Sequence, residues 1–155
     1  SINTLVDLIN FSEKKKTELF FVFACKGKNK KKLLNQLRFK KNVLITDYFS
    51  SKETPQLLST AYCHIITLEN DWADVVYPSK LFGIIKTKKP VIFIGPSRSD
   101  IAKFIKLKKY GKVFKNGEKP YKIFKTIEFI SNISSLNVVS NYNKNPKEIV
   151  KFVLN

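Results

Sequence analysis

Residues 76–96 read VYPSKLFGIIKTKKPVIFIGP, and they predict a loop, a short helix and a buried strand in succession. Pro78 suits the first position of the helix, where the N–H that a proline lacks has no helical partner. Residues 90–94 form an apolar run of strand length that stops at Gly95. A short helix followed by an almost wholly apolar strand is typical of a parallel sheet covered by helices.

The start of this predicted helix is a candidate anion site. Its first amides have no helical acceptor, and the helix dipole also favours a negative charge there. Lys80 would add a full positive charge at the same place. Ser79, Lys80 and the amide of Leu81 are therefore the candidate phosphate-binding groups.

Apolar runs alternate with amphipathic segments along the rest of the chain. Strands are expected at residues 19–25, 42–46, 63–68, 90–94 and 112–114. Helices are expected at residues 3–10, 33–39, from Thr54, from Ser99 or Asp100 to 108, at 119–132 and at 143–154, with a basic loop at 27–32. Thr54 is the expected cap of its helix, because Pro55 fits the first helical position. The alternation predicts one Rossmann-like α/β domain over residues 1–155, with a parallel sheet of about five strands and helices on both faces.

Composition places the chain among globular proteins. The 155 residues have the length of one domain, and 43% hydrophobic residues suffice for a buried core. No uninterrupted apolar stretch is long enough to span a membrane, and no signal-peptide pattern opens the chain, so we expect a cytoplasmic protein. The chain starts with Ser1 and contains no methionine, which indicates a part of a longer protein.

The chain is strongly basic, with a formal charge of +17 from 29 lysines and arginines against 12 aspartates and glutamates. Only Arg38 and Arg98 are arginines. Proteins that read nucleic-acid sequence rely on arginine for bidentate contacts, so no specific nucleic acid is expected as a partner. Two explanations of the lysine excess stay open: an A/T-rich coding bias, and attraction to an acidic membrane surface with the protein peripheral at its inner face.

Three single residues have reactive side chains, and each favours a structural role. Cys25 and Cys63 lack the CxxC spacing of a metal or redox motif, so buried free thiols are expected. His64 is the only histidine and falls within an apolar strand, which favours a core residue over a catalytic one. No metal site is predicted.

The residues around Pro78 also resemble a known family. A Pro-Ser-Lys-Leu opening before a Lys-Pro-Val strand resembles the donor-site segment of GT-B glycosyltransferases of the family-four type. Residues 97–102 and 110–118 continue the resemblance in the same order. The match covers residues 15–155 and implies the C-terminal, nucleotide-sugar-binding half of a two-domain enzyme. It also implies that the N-terminal domain is missing, as is the first strand of this half with its Gly-rich loop.

The resemblance implies an activity and a set of partners. A hexosyl group would pass from a nucleotide-diphospho-sugar to a glycan or lipid-linked acceptor, as in polysaccharide biosynthesis. Ser79, Lys80 and Leu81 would hold the donor diphosphate, and the loop with Asp47, Tyr48 and Phe49 would lie beside the base. Ordinary packing explains Tyr48 and Phe49 equally well. No metal or other cofactor is implied. The acceptor site would lie on the missing domain, so this fragment alone is expected to be inactive.

The sequence departs from the family pattern at the sugar. Family members commonly carry two glutamates separated by seven residues, and those places here are Val75 and Gly83. The acidic residues that follow the third strand, Glu69, Asp71 and Asp74, can take the place of these two glutamates. These residues and Gly83 are the candidates for the sugar or ribose region, while no catalytic residue is assigned.

Two rival functions stay open. A nucleotide-sugar epimerase of related GT-B fold would place carboxylates and a histidine near the same cleft. A non-catalytic basic module would instead bind an acidic membrane or nucleic acid through its lysines, with strong dependence on salt and little preference among nucleotides.

Overall fold

The computed structural model describes residues 2–47, 50, 52–73, 80–138 and 149–153. Strands and helices alternate along most of this chain. The strands are β1 (Phe20–Ala24), β2 (Val43–Thr46), β3 (His64–Thr67), β4 (Val91–Ile94), β5 (Gly111–Phe114) and β6 (Ile149–Val153). The helices are α1 (Ile2–Lys14), α2 (Gly27–Leu37), α3 (Thr54–Ser59), α4 (Lys80–Lys86), α5 (Asp100–Leu107) and α6 (Pro120–Val138), and a 3-10 turn spans Asn70–Trp72.

The strands form one parallel sheet in the order β2-β1-β6-β3-β4-β5. Residues 91–94 are buried throughout, as the apolar run of β4 predicted. Parallel strands in a covered sheet pack on both faces, which explains why their sequences are apolar without alternation. The predicted Rossmann-like α/β fold is confirmed.

The centre of the sheet corrects one prediction. Residues 143–154 were expected to form a helix, because Ile149, Val150 and Val153 have helical spacing. Residues 149–153 instead form β6, which pairs Ile149 with Phe20 of β1 and Phe152 with Ile65 of β3. The segment is rich in β-branched residues, and pairing on both sides overrides the helical pattern.

The sheet therefore has six strands, and β6 joins the β1–β2 pair to the β3–β4–β5 group. The common doubly wound order is 3-2-1-4-5-6. In that order, β6 occupies the place of the first strand, although it follows the other five in sequence.

Helices cover both faces of the sheet. Helices α1, α2 and α6 pack on one face around Phe21, Phe23 and Ile92, and α3, α4 and α5 pack on the other around Ile66 and Phe93. Neighbouring residues of one strand thus serve opposite cores, as the two-residue repeat of a strand requires. None of the described helices is long and apolar enough to cross a membrane.

Two helix starts differ from the sequence prediction. Helix α2 begins at Gly27, so the basic residues 27–32 belong to its first turns rather than to a loop. Glu53, not Thr54, occupies the N-cap position of α3, and the Thr54 hydroxyl donates to the Ser50 carbonyl oxygen at 2.8 Å. The predicted cap of α5 is confirmed, because the hydroxyl of Ser99 accepts a hydrogen bond from the amide of Ala102 at 3.3 Å.

Both cysteines are buried and neither forms a disulfide, as predicted, and burial raises the pKa of Cys63 to about 12. His64 is also fully buried, with its Nε2 3.4 Å from the hydroxyl of Thr87. It is the first residue of β3 rather than an interior one, so it lies at the amino end of the strand. This end is the edge of the sheet opposite to the one where parallel α/β proteins bind ligands.

Candidate functional site at the carboxyl ends of the strands

The strand order singles out one place on the sheet. The connection from β1 leads to β2 on one side, whereas the connection from β3 leads to β4 on the other, and β6 lies between β1 and β3. Open α/β sheets bind ligands outside the carboxyl ends of the strands at such a reversal. The loops after β1 and β3 flank this point.

The loop after β3 presents a polar and aromatic surface. Its 3-10 turn is closed by a hydrogen bond from the amide of Trp72 to the carbonyl oxygen of Glu69 at 3.2 Å. Glu69 and Asp71 are exposed, and the indole of Trp72 is 53% exposed. One loop at this edge of the sheet therefore exposes an aromatic ring and two carboxylates.

Side chains from two other loops hold this loop in place. The amide nitrogen of Asn116, after β5, donates to the carbonyl oxygen of Leu68 and to Oδ1 of Asn70, both at 2.9 Å. Arg98, after β4, donates to the carbonyl oxygen of Asn70 at 3.4 Å. The loops after β3, β4 and β5 thus form one hydrogen-bonded unit.

The same unit extends to the first helix. The amide of Gly117 donates to the hydroxyl of Thr4 at 2.9 Å, and Thr4 is buried. Gly117 has φ +74°, a left-handed conformation that glycine adopts without strain. The start of α1 is therefore fixed at the carboxyl edge of the sheet.

Gly95 has a packing role at the end of β4. A Cβ at this position would lie 2.7 Å from Cζ of Phe93 and 2.9 Å from the carbonyl oxygen of Leu68. The glycine lets the loop after β4 pass close to the loop after β3. Its close neighbours are the protein's own Phe93 ring and Leu68 backbone, so the contact itself gives no reason to invoke a ligand.

The structure locates some of the residues that the sequence proposed for the site. Asp47 is exposed after β2 and forms an ion pair with Lys30 of α2 at 3.0 Å. Leu81 is fully buried as a whole residue, in the core of the second face. Gly83 lies within α4, where an added Cβ would be 3.7 Å from Cδ1 of Leu58.

The remaining proposed residues lie outside the described part of the chain. These are Tyr48, Phe49, Asp74, Ser79 and the side chain of Lys80, and the predicted helical position of Pro78 is also among them. Among the described residues, no group of three histidines, cysteines or carboxylates is arranged to hold a metal ion.

Sequence reasoning missed the residues that organise the described part of the site. Asn116 and Arg98 fall in segments that the sequence connects only with the family resemblance, and no motif singles out Trp72. A lone tryptophan in a loop after a buried strand was the available signal, because so large an apolar ring is seldom half exposed without a partner.

Glu118 adds a fixed negative charge near this unit. The amide of Lys119 donates to its carboxylate at 3.2 Å and lowers the pKa of Glu118, and Lys122 lies 3.3 Å away. Glu118 is therefore ionised at neutral pH.

A cleft of about 230 Å³ lies elsewhere, beside the segment that leads into β1 and the end of α6. Its lining residues are Thr17, Glu18, Leu19, Phe124, Glu128, Ser131 and Asn132. The two charged members are carboxylates, so this cleft does not suit a phosphate. Its position near the amino edge also separates it from the loops after β3, β4 and β5.

Comparisons with family models, with curated proteins and with solved structures find no match to this chain.

Proposed function

We propose that this domain binds a nucleotide-diphospho-sugar at the carboxyl edge of its sheet, as the donor-binding lobe of a GT-B glycosyltransferase. The observation that carries the proposal is the half-exposed ring of Trp72. Asn116 and Arg98 hold its loop by hydrogen bonds, and the loop lies beside the point where the strand order reverses. Ligands of parallel α/β sheets bind at such points. The resemblance of residues 76–96 to the donor-site segment of that family supports the same assignment.

The chemistry of the loop after β3 suits a nucleoside. A base can stack on the indole of Trp72, an interaction that contributes about 1 to 3 kcal/mol per base. Carboxylates accept hydrogen bonds, so Glu69 and Asp71 suit the hydroxyl groups of a ribose or sugar.

The diphosphate would be bound at the start of α4. Ser79 and Lys80 would neutralise the charge that develops on the leaving diphosphate as the glycosidic bond breaks. Transfer would also require an acceptor bound on a second domain.

The position of His64 argues against the epimerase alternative. That activity would need a histidine near the cleft, and His64 is buried at the amino end of β3. The donor-lobe function leaves this residue a structural role beside Thr87.

Trp72 is the only tryptophan, so its fluorescence reports on the proposed site alone. UDP and GDP titrated into this chain should change its emission with a saturable dependence, and one of them should bind more tightly. Calorimetry of the same titration gives the affinity independently. Absence of saturable binding of either nucleotide by both methods would reject the proposal.

A further inference from the structure

The segments that connect the helices and strands carry more net positive charge at one edge of the sheet than at the other. The described segments that lead into the strands are residues 15–19, 38–42, 60–63, 87–90 and 108–110, and they contain nine basic residues and one acidic residue. The described segments that follow the strands are residues 25–26, 47, 50, 52–53, 68–73, 95–99 and 115–119, and they contain five of each. The first turns of α2 add four lysines at the carboxyl edge, Lys28, Lys30, Lys31 and Lys32, so the difference in charge belongs to the connecting segments themselves.

Three lysines at the amino edge occupy a backbone conformation that favours glycine. Lys16, Lys88 and Lys109 have φ of 52°, 56° and 54°. Each lies two residues after the end of a helix, α1, α4 or α5, and shortly before a strand. Glycine is the usual residue at this left-handed position after a helix, because a Cβ there is strained.

The side chains of these three lysines are exposed. The same strained backbone conformation thus occurs at three equivalent points of one edge. Each time, the residue that adopts it exposes an ammonium group to solvent. Local backbone stability does not account for lysine at these points.

Exposed apolar side chains lie among the lysines. Phe39 is 84% exposed before β2 and Leu107 is 77% exposed at the end of α5, the two highest values among the described large apolar residues. The guanidinium of Arg38 lies 4.6 Å from the centre of the Phe39 ring. Isolated apolar side chains surrounded by cations match the interface of a bilayer, where an apolar group inserts between headgroups.

We propose that the amino edge of the sheet is a docking face for a bilayer surface rich in anionic lipids. Its lysines neutralise the headgroups, and Phe39 and Leu107 insert between them. Six strands at a spacing of about 4.8 Å give a face roughly 24 Å wide, which spans several headgroups. Of the nine basic residues only Arg38 is an arginine. Lysine acts as a point charge, whereas the arginine guanidinium makes paired hydrogen bonds to bases and phosphates. A lipid surface therefore fits this face better than a nucleic acid.

This inference is independent of the proposed function. The docking face and the candidate nucleotide site lie at opposite edges of the sheet, separated by the length of a strand. A protein bound to the bilayer through its amino edge keeps its carboxyl edge in water, where a nucleotide can reach it.

Co-sedimentation with vesicles tests the docking face. Vesicles of phosphatidylcholine and phosphatidylserine should sediment the intact chain at low ionic strength, and high salt should release most of it. Vesicles of phosphatidylcholine alone should sediment little. Equal binding to both kinds of vesicle would overturn the inference.

One triple variant separates charge from folding. Replacing Lys16, Lys88 and Lys109 with glycine relieves the left-handed strain, so the variant should fold while its partition into anionic vesicles falls on the order of a hundredfold. The matched control removes the same charge from the other edge through Lys26→Gln, Lys115→Gln and Lys119→Gln, and should retain most of the binding.

Two outcomes contradict the docking face. An equal loss in both triple variants would show that binding follows net charge alone. Tighter binding of an RNA oligonucleotide than of anionic vesicles, weakened by the amino-edge variant, would assign the face to nucleic acid. Neither result depends on the fluorescence titration of Trp72, so the two proposals can fail separately.

Discussion

The side-chain amide of Asn116 donates to the carbonyl oxygen of Leu68 at 2.9 Å and so joins the loop after β5 to the end of β3. The same nitrogen reaches Oδ1 of Asn70. One residue thereby holds the start of the turn that leads to Trp72 at two points. The shape of the candidate site depends on an interaction between segments far apart in sequence.

Asn116→Ala should destabilise the protein by about 1 to 3 kcal/mol, because the Leu68 carbonyl loses a partly buried donor. It should also weaken nucleotide binding by loosening the loop of Trp72. Urea unfolding and the emission titration measure the two effects. Asn35→Ala, at an exposed position of α2, is the control and should lower neither the stability nor the nucleotide affinity. Unaltered stability in Asn116→Ala would contradict the bracing role.

Trp72→Ala should weaken the binding of UDP or GDP by about 1 to 3 kcal/mol through the loss of a stacking surface. Its stability should change little, because the ring is half exposed. Calorimetry is the suitable measurement, since the variant lacks the fluorophore. Phe129→Ala removes a similarly exposed ring from α6 and should bind as the original chain does; a comparable loss there would place the nucleotide elsewhere.

Gly95→Ala should destabilise the protein by about 1 to 3 kcal/mol, because its Cβ would meet Phe93 and the Leu68 carbonyl at less than the normal contact distance. Gly83→Ala is the matched comparison. Its Cβ would be 3.7 Å from Leu58 inside a helix, so a gain of about 0.5 to 1 kcal/mol is expected. Denaturant unfolding of the pair compares them directly, and equal effects would refute the close approach at Gly95.

Lys88→Gly should stabilise the protein by about 1 kcal/mol, because glycine removes the strain of a left-handed lysine. Lys86→Gly, at the end of α4, should instead destabilise it by up to about 1 kcal/mol. Thermal unfolding of both variants gives the sign of each change. A destabilised Lys88→Gly would mean that the lysine side chain itself supports the fold.

The Cys63 thiol should make stability depend on alkaline pH. Burial raises its pKa from 9.0 to about 12, so the folded state keeps a proton that the unfolded state releases. Its contribution is present in full below pH 9 and is lost as pH rises from 9 towards 12. Across this pH range, the free energy of unfolding should fall more steeply for the original chain than for Cys63→Ala. Parallel curves would exclude Cys63 as the source.

Much of the fold could be predicted because each buried strand is a short apolar run bounded by polar turns. The bounds of β1 to β5 differ from the expected ones by about a residue for this reason. The last strand was missed because Ile149, Val150 and Val153 satisfy helical spacing equally well. The partners that decide the matter, Phe20 and Ile65, are remote in sequence.

The candidate site was predictable in place but not in detail. Topology puts the loops after parallel strands at one edge, which singled out Glu69 and Asp71 before any coordinates. The roles of Asn116 and Arg98 depend on contacts among the loops after β3, β4 and β5. These contacts join residues far apart in sequence, so no local sequence pattern predicts them.

The position of β6 also sets how the sheet comes apart. Its backbone bonds are shared between β1 and β3, so release of this one strand exposes amides on both neighbours at once, while the β3–β4–β5 ladder stays paired. In deuterium exchange, the β6-facing amides of β1 and β3 should therefore lose protection together, as a single opening event that splits the domain along its midline.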